Sequence, residues 1–163
     1  MHDKAMKNIL VVDDDDDIRE AICETFKNRG FDCATAADGR EALQYLKTHC
    51  VDVVLADYRM PVMGGAELLK ALMGPAHDPM PVIIMSATGS IAVRDHALAL
   101  GAVAFLSKPY DNAELIEIVF HAMNAGSRTA NQGGAYETEG REGGGQRDTD
   151  ERTAEGPDHR TGL

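Results

Sequence analysis

The sequence predicts an α/β protein built on a five-stranded, doubly wound parallel sheet, and three observations carry that expectation. Short β-branched runs alternate with stretches of helical period, as repeated β-α units require. Three of the runs, ILVV, VDVVLA and VIIM, are nearly continuous apolar segments, the pattern of strands buried on both faces between layers of helices. The chain has 163 residues, 44% of them hydrophobic, which suits one compact core with a modest tail and is too little for two ordinary domains.

After a lead of residues 1–6, the predicted strands cover 8–12, 31–36, 52–56, 82–85 and 103–106. The first helix places Ile18, Ala21, Ile22 and Phe26 on one stripe, starts with Asp16 as its expected N-cap, and stops at Gly30 after a cationic last turn. The second, about 39–48, carries Ala42, Leu43 and Leu46; the third, about 65–73, carries Leu68, Leu69 and Leu72 and ends at Gly74-Pro75. An Ala-rich fourth helix at about 90–100 ends at Gly101, and a fifth at 112–125 presents Leu115, Ile118, Val119 and Ala122. The domain is thus expected to span 7–125. Residues 126–163 are rich in glycine and charge and poor in large apolar side chains, so a disordered tail is expected there.

Composition narrows the function. Asp and Glu number 27 against 16 Lys and Arg, a net charge of −11, which lacks the basic footprint for phosphate backbones or anionic lipid. No direct nucleic-acid contact and no membrane insertion are expected. No apolar run approaches the roughly 18 residues needed to span a bilayer, and residues 1–8 carry no signal-like apolar region, so a soluble, cytoplasmic protein is expected. Cys23, Cys33 and Cys50 show neither C-x-x-C nor zinc spacing and are expected as buried free thiols. The six histidines are scattered and read as surface residues, and Met60, Met63, Met73 and Met85 as packing.

Four signals fall at predicted strand ends: Asp13-Asp14 after the first, Asp57 at the end of the third, Ser86 after the fourth and Lys108-Pro109 after the fifth. In a right-handed, doubly wound sheet the carboxyl ends of the strands share one edge, and ligands bind where the strand order reverses. Taken alone, Asp13–Asp17 is an acidic loop and helix start, Ser86 a turn residue, Lys108 a surface lysine and Phe105 core packing. Brought to one edge, they become a site. Paired carboxylates there repel by about 4 kcal/mol at 4 Å and an effective dielectric near 20, so a counter-charge is required. Asp13, Asp14 and Asp57 against Lys108 leave −2, which one divalent cation cancels. An all-oxygen donor set suits Mg²⁺, or Mn²⁺, better than zinc. Such a cation would screen the Asp57 carboxylate for attack on phosphorus, with Lys108 and the Ser86 hydroxyl left to hold equatorial oxygens.

The strings ILVVDDDDDIRE, VDVVLADYRMPVMGG, PVIIMSATG and AVAFLSKPY resemble, in order and spacing, the motifs of response-regulator receiver domains of two-component signalling, over about residues 7–125. The resemblance implies a (βα)5 flavodoxin-like receiver fold. It implies that Asp57 accepts a phosphoryl group from a sensor histidine kinase, a histidine phosphotransfer protein or a small donor. Asp14, Asp57 and the Arg59 backbone carbonyl would bind the metal directly, with Asp13 assisting. Ser86 and Phe105 match the family's switch hydroxyl and aromatic, Arg59 and Thr88 its lifetime-modulating positions, and Lys108-Pro109 its cis peptide. Gly64 stands where aspartate is frequent, and Ser86 where threonine is commoner. The output would be a downstream protein contact through the face made by the fourth helix, fifth strand and fifth helix, with Arg94 and Glu117 exposed on it.

Three other readings remain open. An aspartate-nucleophile phosphatase would use Asp13-x-Asp15 or Asp14-x-Asp16, but Asp17 or Ile18 stands where Thr or Val is usual, and D-x-R-M-P goes unexplained. A flavodoxin-like electron carrier would place an acidic loop against a flavin phosphate. A receiver fragment of a DNA-binding regulator would make 126–163 an interdomain linker.

Overall fold

The computed structural model describes residues 5–126 and 136–137. Strands β1 (Lys7–Val12), β2 (Phe31–Ala36), β3 (Val53–Asp57), β4 (Val82–Ser86), β5 (Ala104–Ser107) and β6 (Tyr136–Glu137) form one sheet in the order β2-β1-β3-β4-β5-β6. Every pairing is parallel. Helices α1 (Asp16–Lys27), α2 (Gly39–Leu46), α3 (Gly65–Leu72), α4 (Ile91–Ala99) and α5 (Asn112–Gly126) alternate with the first five strands. The order reverses between β1 and β3, which makes that crevice the topological switch point.

Alternation along the strands divides the core into two layers. Ile9 and Val11 of β1 face Ile22 and Phe26 of α1 and Leu115, Ile118 and Val119 of α5. Leu10 and Val12 face the other way, toward Ala42 of α2, Leu68, Leu69 and Leu72 of α3 and Ala97 of α4. Because both faces of β1, β3 and β4 are covered, their central residues are 0% exposed and read as unbroken apolar runs. Helix α4 is the weakly docked element, since Ala97 is its one buried residue.

The structure corrects several expectations. The N-cap of α1 is Asp15, not Asp16: its carboxylate accepts from the amides of Asp17 and Ile18 at 2.9 and 3.3 Å. A run of aspartates offers several caps, and the one whose own backbone stays extended takes the role. Ala21 is exposed rather than on the buried stripe. Asp57 ends β3, where it pairs with Met85, and Ser86 closes β4 rather than following it, because the ladder continues through Ser86↔Ser107.

The sheet also gains a strand within the segment where the sequence predicts a disordered tail. Tyr136 and Glu137 pair with Ala104 and Phe105, at the otherwise open edge of β5. Two residues carry no period to read, and what admits them is a row of backbone groups in need of partners. The rest of the expected tail and lead, 127–135, 138–163 and 1–4, lies outside the described residues.

The cysteines differ as well. Cys23 of α1 and Cys33 of β2 are joined in a disulfide, and Cys50 is exposed rather than buried. Gly30, at φ +81°, turns the chain so that α1 lies over β2 and brings the two sulfurs together. Spacing rules built on loops and zinc motifs do not register a pair made by a helix-turn-strand.

Candidate functional site

Asp13 is the first residue beyond β1, and its amide donates to the Ala36 carbonyl at 3.2 Å. The residue is 1% exposed, and both its carboxylate oxygens are engaged. Oδ1 accepts from the Asp15 amide at 3.0 Å and Oδ2 from Lys108 Nζ at 2.9 Å. Its backbone carbonyl accepts from Arg19 Nη1 at 2.5 Å. Asp57, buried at the end of β3, places Oδ1 3.1 Å from the same Lys108 Nζ. Asp14 is exposed and completes the group: Asp13, Asp14 and Asp57 each bring an oxygen within 4.8 Å of the others.

Lys108 reaches these acids because β5 runs beside β4. Its amide donates to the Ser86 carbonyl at 2.8 Å, and the Lys108–Pro109 peptide is cis, as expected. Burial raises the Asp57 carboxyl above its usual range; Lys108 opposes the shift, while Asp13 and Asp14 add to it. For Lys108, burial alone would lower the pKa, but hydrogen bonds to Asp13 and Asp57 and the attraction of both carboxylates raise it. The lysine is therefore held charged at neutral pH. The donors are all oxygen, crowded and negative, and so fit a hard divalent cation such as Mg²⁺ or Mn²⁺. Asp14 and Arg59 line one cavity of about 500 Å³ with Tyr58, Met60, Pro61 and Gly64, so the loop carrying the Arg59 carbonyl opens on the same side as the exposed carboxylate.

Ser86, 2% exposed, accepts at Oγ from the Thr88 amide at 3.1 Å. Phe105, 7% exposed, lies one strand over, paired with Ile84 and packed in the α4-side core. Arg59 and Glu117 are exposed, whereas Arg94 is half-buried rather than exposed as expected, with Nε 3.7 Å from Asp95.

Four residues at the site were not singled out as functional by sequence reasoning. Arg19 holds the Asp13 carbonyl from α1. Tyr110 packs against the core, its phenol raised by burial and then, against Lys108, by Asp13 and Asp57. Tyr58 Oη lies 2.9 Å from His96 Nδ1, which ties the residue after Asp57 to α4. A Cβ on Gly65 would lie 2.4 Å from the Asp57 carbonyl oxygen, so only glycine allows α3 to start against that backbone. Of the four, Gly65 had a signal, as the glycine that closes the D-x-R-M-P-x-M-x-G string.

Residues 9–120 match the family described as the response regulator receiver domain. The regulatory protein AtoC of Escherichia coli is 38% identical over 120 residues, 73% of this chain and 26% of AtoC. The transcriptional regulatory protein PrrA of Mycobacterium bovis is 36% identical over 122 residues, 75% of this chain and 52% of PrrA. The chain thus spans about a quarter to a half of the curated relatives it matches. Among solved structures, the receiver domain of the Francisella response regulator 1452 superposes with a TM-score of 0.69 at 36% identity, covering 74% of this chain and 98% of that one. The chemotaxis protein CheY4 of Vibrio cholerae gives 0.68 at 34% identity, covering 72% of this chain and 99% of its own. With its strand order, its acidic crevice and its matched motifs, this chain belongs to the response-regulator receiver-domain family.

Proposed function

We propose that the domain is a phosphoaspartate switch in which Asp57 takes the phosphoryl group from a phosphohistidine of a sensor kinase or phosphotransfer protein, or from a small phosphodonor. The observation that carries this reading is the position of Asp57 Oδ1, 3.1 Å from Lys108 Nζ and within 4.8 Å of two other carboxylates at the switch point. An Asp57 oxygen attacks phosphorus, the phosphorus–nitrogen bond breaks, and the histidine leaves with its electron pair. Asp14, Asp57 and the Arg59 carbonyl would hold Mg²⁺, with Asp13 supporting from its bonds to Lys108 and the Asp15 amide. The cation supplies charge neutralisation of the carboxylates and of the phosphoryl oxygens. Lys108 and the Ser86 hydroxyl then donate to phosphoryl oxygens, where positioning and charge do most of the work.

In this reading Ser86 exchanges the Thr88 amide for the phosphoryl group, and Phe105, on the neighbouring strand, follows the space that opens. Arg59 and Thr88, beside the acceptor and the hydroxyl, tune the lifetime of the acyl phosphate. The output surface is the α4–β5–α5 face, contacting a protein partner rather than nucleic acid. Incubation with acetyl phosphate or phosphoramidate and Mg²⁺ should trap an acyl phosphate on the peptide containing Asp57, and Asp57→Asn should abolish it. Labelling of Asp13 or Asp14 instead would favour a phosphatase-type nucleophile and sink the assignment.

A second reading is that this receiver serves as one part of a longer DNA-binding regulator. It is favoured by the names of the relatives, which include DNA-binding transcriptional regulators of which the matched segment is 24%. The receiver chemistry is the same in both readings.

A further inference from the structure

The described residues hold a second reactive group, which the acidic site does not use. Cys23 lies on α1 and Cys33 on β2, ten residues apart, with Cα atoms 5.5 Å from each other and the sulfurs joined. That spacing is ordinary for a disulfide and needs no backbone movement. Cys23 is 6% exposed and Cys33 half-buried, and both line a surface groove of about 630 Å³ together with Asp16, Arg19, Lys27 and Thr35. A small thiol can therefore reach the pair from solvent. The position of the bridge matters too. Cys23 sits one helical turn beyond Arg19, whose guanidinium bonds the Asp13 carbonyl and pairs with Asp16.

We infer that Cys23 and Cys33 are a reversible dithiol–disulfide site that exchanges with a low-molecular-weight thiol of the glutathione class and that, when oxidised, locks α1 onto β2 one helical turn from Arg19. In the forward direction the Cys33 thiolate attacks one sulfur of the small disulfide, forming a mixed disulfide and releasing one small thiolate. The Cys23 thiolate then attacks the Cys33 sulfur and releases the second. Two protein thiols and one small disulfide give one protein disulfide and two small thiols. Two electrons pass to the small disulfide, and the two thiol protons end on the released thiols. Reduction is the reverse, with attack entering through the groove at the half-buried Cys33 sulfur. This site stands on geometry separate from the acidic crevice and does not depend on the phosphoryl reading.

The exposed Cys50 is an internal control, because it has no partner cysteine and can form only mixed disulfides within one chain. The full chain is equilibrated at graded ratios of reduced to oxidised glutathione, quenched with acid and alkylated, then cut with trypsin, which cleaves between the two cysteines at Lys27 and Arg29. The expected result is one two-electron transition in which the Cys23 and Cys33 peptides become linked, reopened by reduced glutathione in the native protein, while Cys50 takes a glutathione adduct. The oxidised form should melt roughly 10 °C above the reduced form, the shift expected when a bridge closes a loop of about ten residues in a domain of this size. Cys33→Ser and Cys33→Ala should each lose the link and the redox-dependent part of the melting temperature. Cys23 and Cys33 remaining thiols, or carrying separate adducts, over the range in which Cys50 reacts would overturn the site. Failure of reduced glutathione to reopen the bridge would overturn its reversibility, and equal melting of the two forms would overturn the lock.

Discussion

Replacing Lys108 with alanine removes the one cation that Asp13 Oδ2 and Asp57 Oδ1 share, at 2.9 and 3.1 Å. The two residues are 1% and 8% exposed, so neither carboxylate can recover full hydration when its partner goes. At about 3 Å and an effective dielectric near 20, each contact is worth about 5 kcal/mol of attraction before desolvation is charged against it. Breaking a buried pair by removing one partner costs typically about 3–5 kcal/mol. The lysine side chain is 18% exposed, which admits some solvent screening. The expected loss in chelator at neutral pH is therefore about 2–3 kcal/mol, read as a lower urea midpoint with an unchanged slope. Under the proposed function, millimolar Mg²⁺ should restore most of it, because the remaining carboxylates would still hold the ion and two positive charges would replace one. Adding Asp57→Asn to Lys108→Ala should recover part of the loss by removing a repelling charge. A loss under about 0.5 kcal/mol would show that solvent already screens the contact. A larger loss that neither Mg²⁺ nor Asp57→Asn relieves would assign it to packing and refute the electrostatic account.

Other substitutions probe the same site from its supports. Burial holds the Asp57 carboxyl above 3.8, so the native state binds the extra proton, and stability falls as pH rises from 3.8 through the raised folded value. Metal-free Asp57→Asn should lose that part of the pH dependence and unfold at higher urea than the parent at pH 7; a lower midpoint would contradict the sign. Asp15→Ala should cost about 1 kcal/mol through the lost cap of α1 while leaving Mg²⁺ titration unchanged, whereas Asp14→Ala should weaken Mg²⁺ at little cost in stability. Gly65→Ala, with its Cβ 2.4 Å from the Asp57 carbonyl oxygen, should destabilise by about 1–3 kcal/mol in denaturant and slow phosphorylation, since the acceptor backbone must move. Val62, 66% exposed at φ +68°, is the one non-glycine in the left-handed region among the described residues, and Val62→Gly should raise stability by about 0.5–1 kcal/mol.

What the sequence made legible follows from the sheet. A strand buried on both faces writes itself as an apolar run, and the first polar residues at its carboxyl end are then the crevice. Asp13, Asp57, Ser86 and Lys108 could be placed together before any coordinates for that reason. What stayed hidden depends on pairing between elements whose separations carry no period. Cys23 meets Cys33 through a helix-turn-strand, Tyr58 meets His96 across 38 positions, and Tyr136–Glu137 joins β5 through backbone groups that any residue carries. The choice of Asp15 over Asp16 as cap is hidden differently, since five adjacent aspartates offer the same chemistry and backbone geometry selects among them.

The weak docking of α4 bears on how a charge change at Asp57 could travel. Helix α4 commits Ala97 alone to full burial, packs Val93 and Leu98 only partly against the core and leaves Ile91 68% exposed, so less packing opposes a shift of α4 than of α3. It is nonetheless tied to the acceptor loop, because Tyr58 directly follows Asp57 and its hydroxyl meets His96 at 2.9 Å. Moving a two-state element from 1:99 to 99:1 takes about 5.5 kcal/mol. Under the proposed function, new hydrogen bonds to a phosphoryl group from Ser86 and Lys108 would supply about 1.5–3 kcal/mol each, or roughly 3–6 together. The upper end of that range reaches what is needed to shift a helix whose one fully buried residue is Ala97, with Val93 and Leu98 only partly buried against the core. It would not suffice to displace α3, whose Leu68, Leu69 and Leu72 are all buried and would expose about 1.5–3 kcal/mol of apolar surface each. Under the proposed function, the difference in anchoring, rather than distance from Asp57, would favour α4 over α3 as the element that responds.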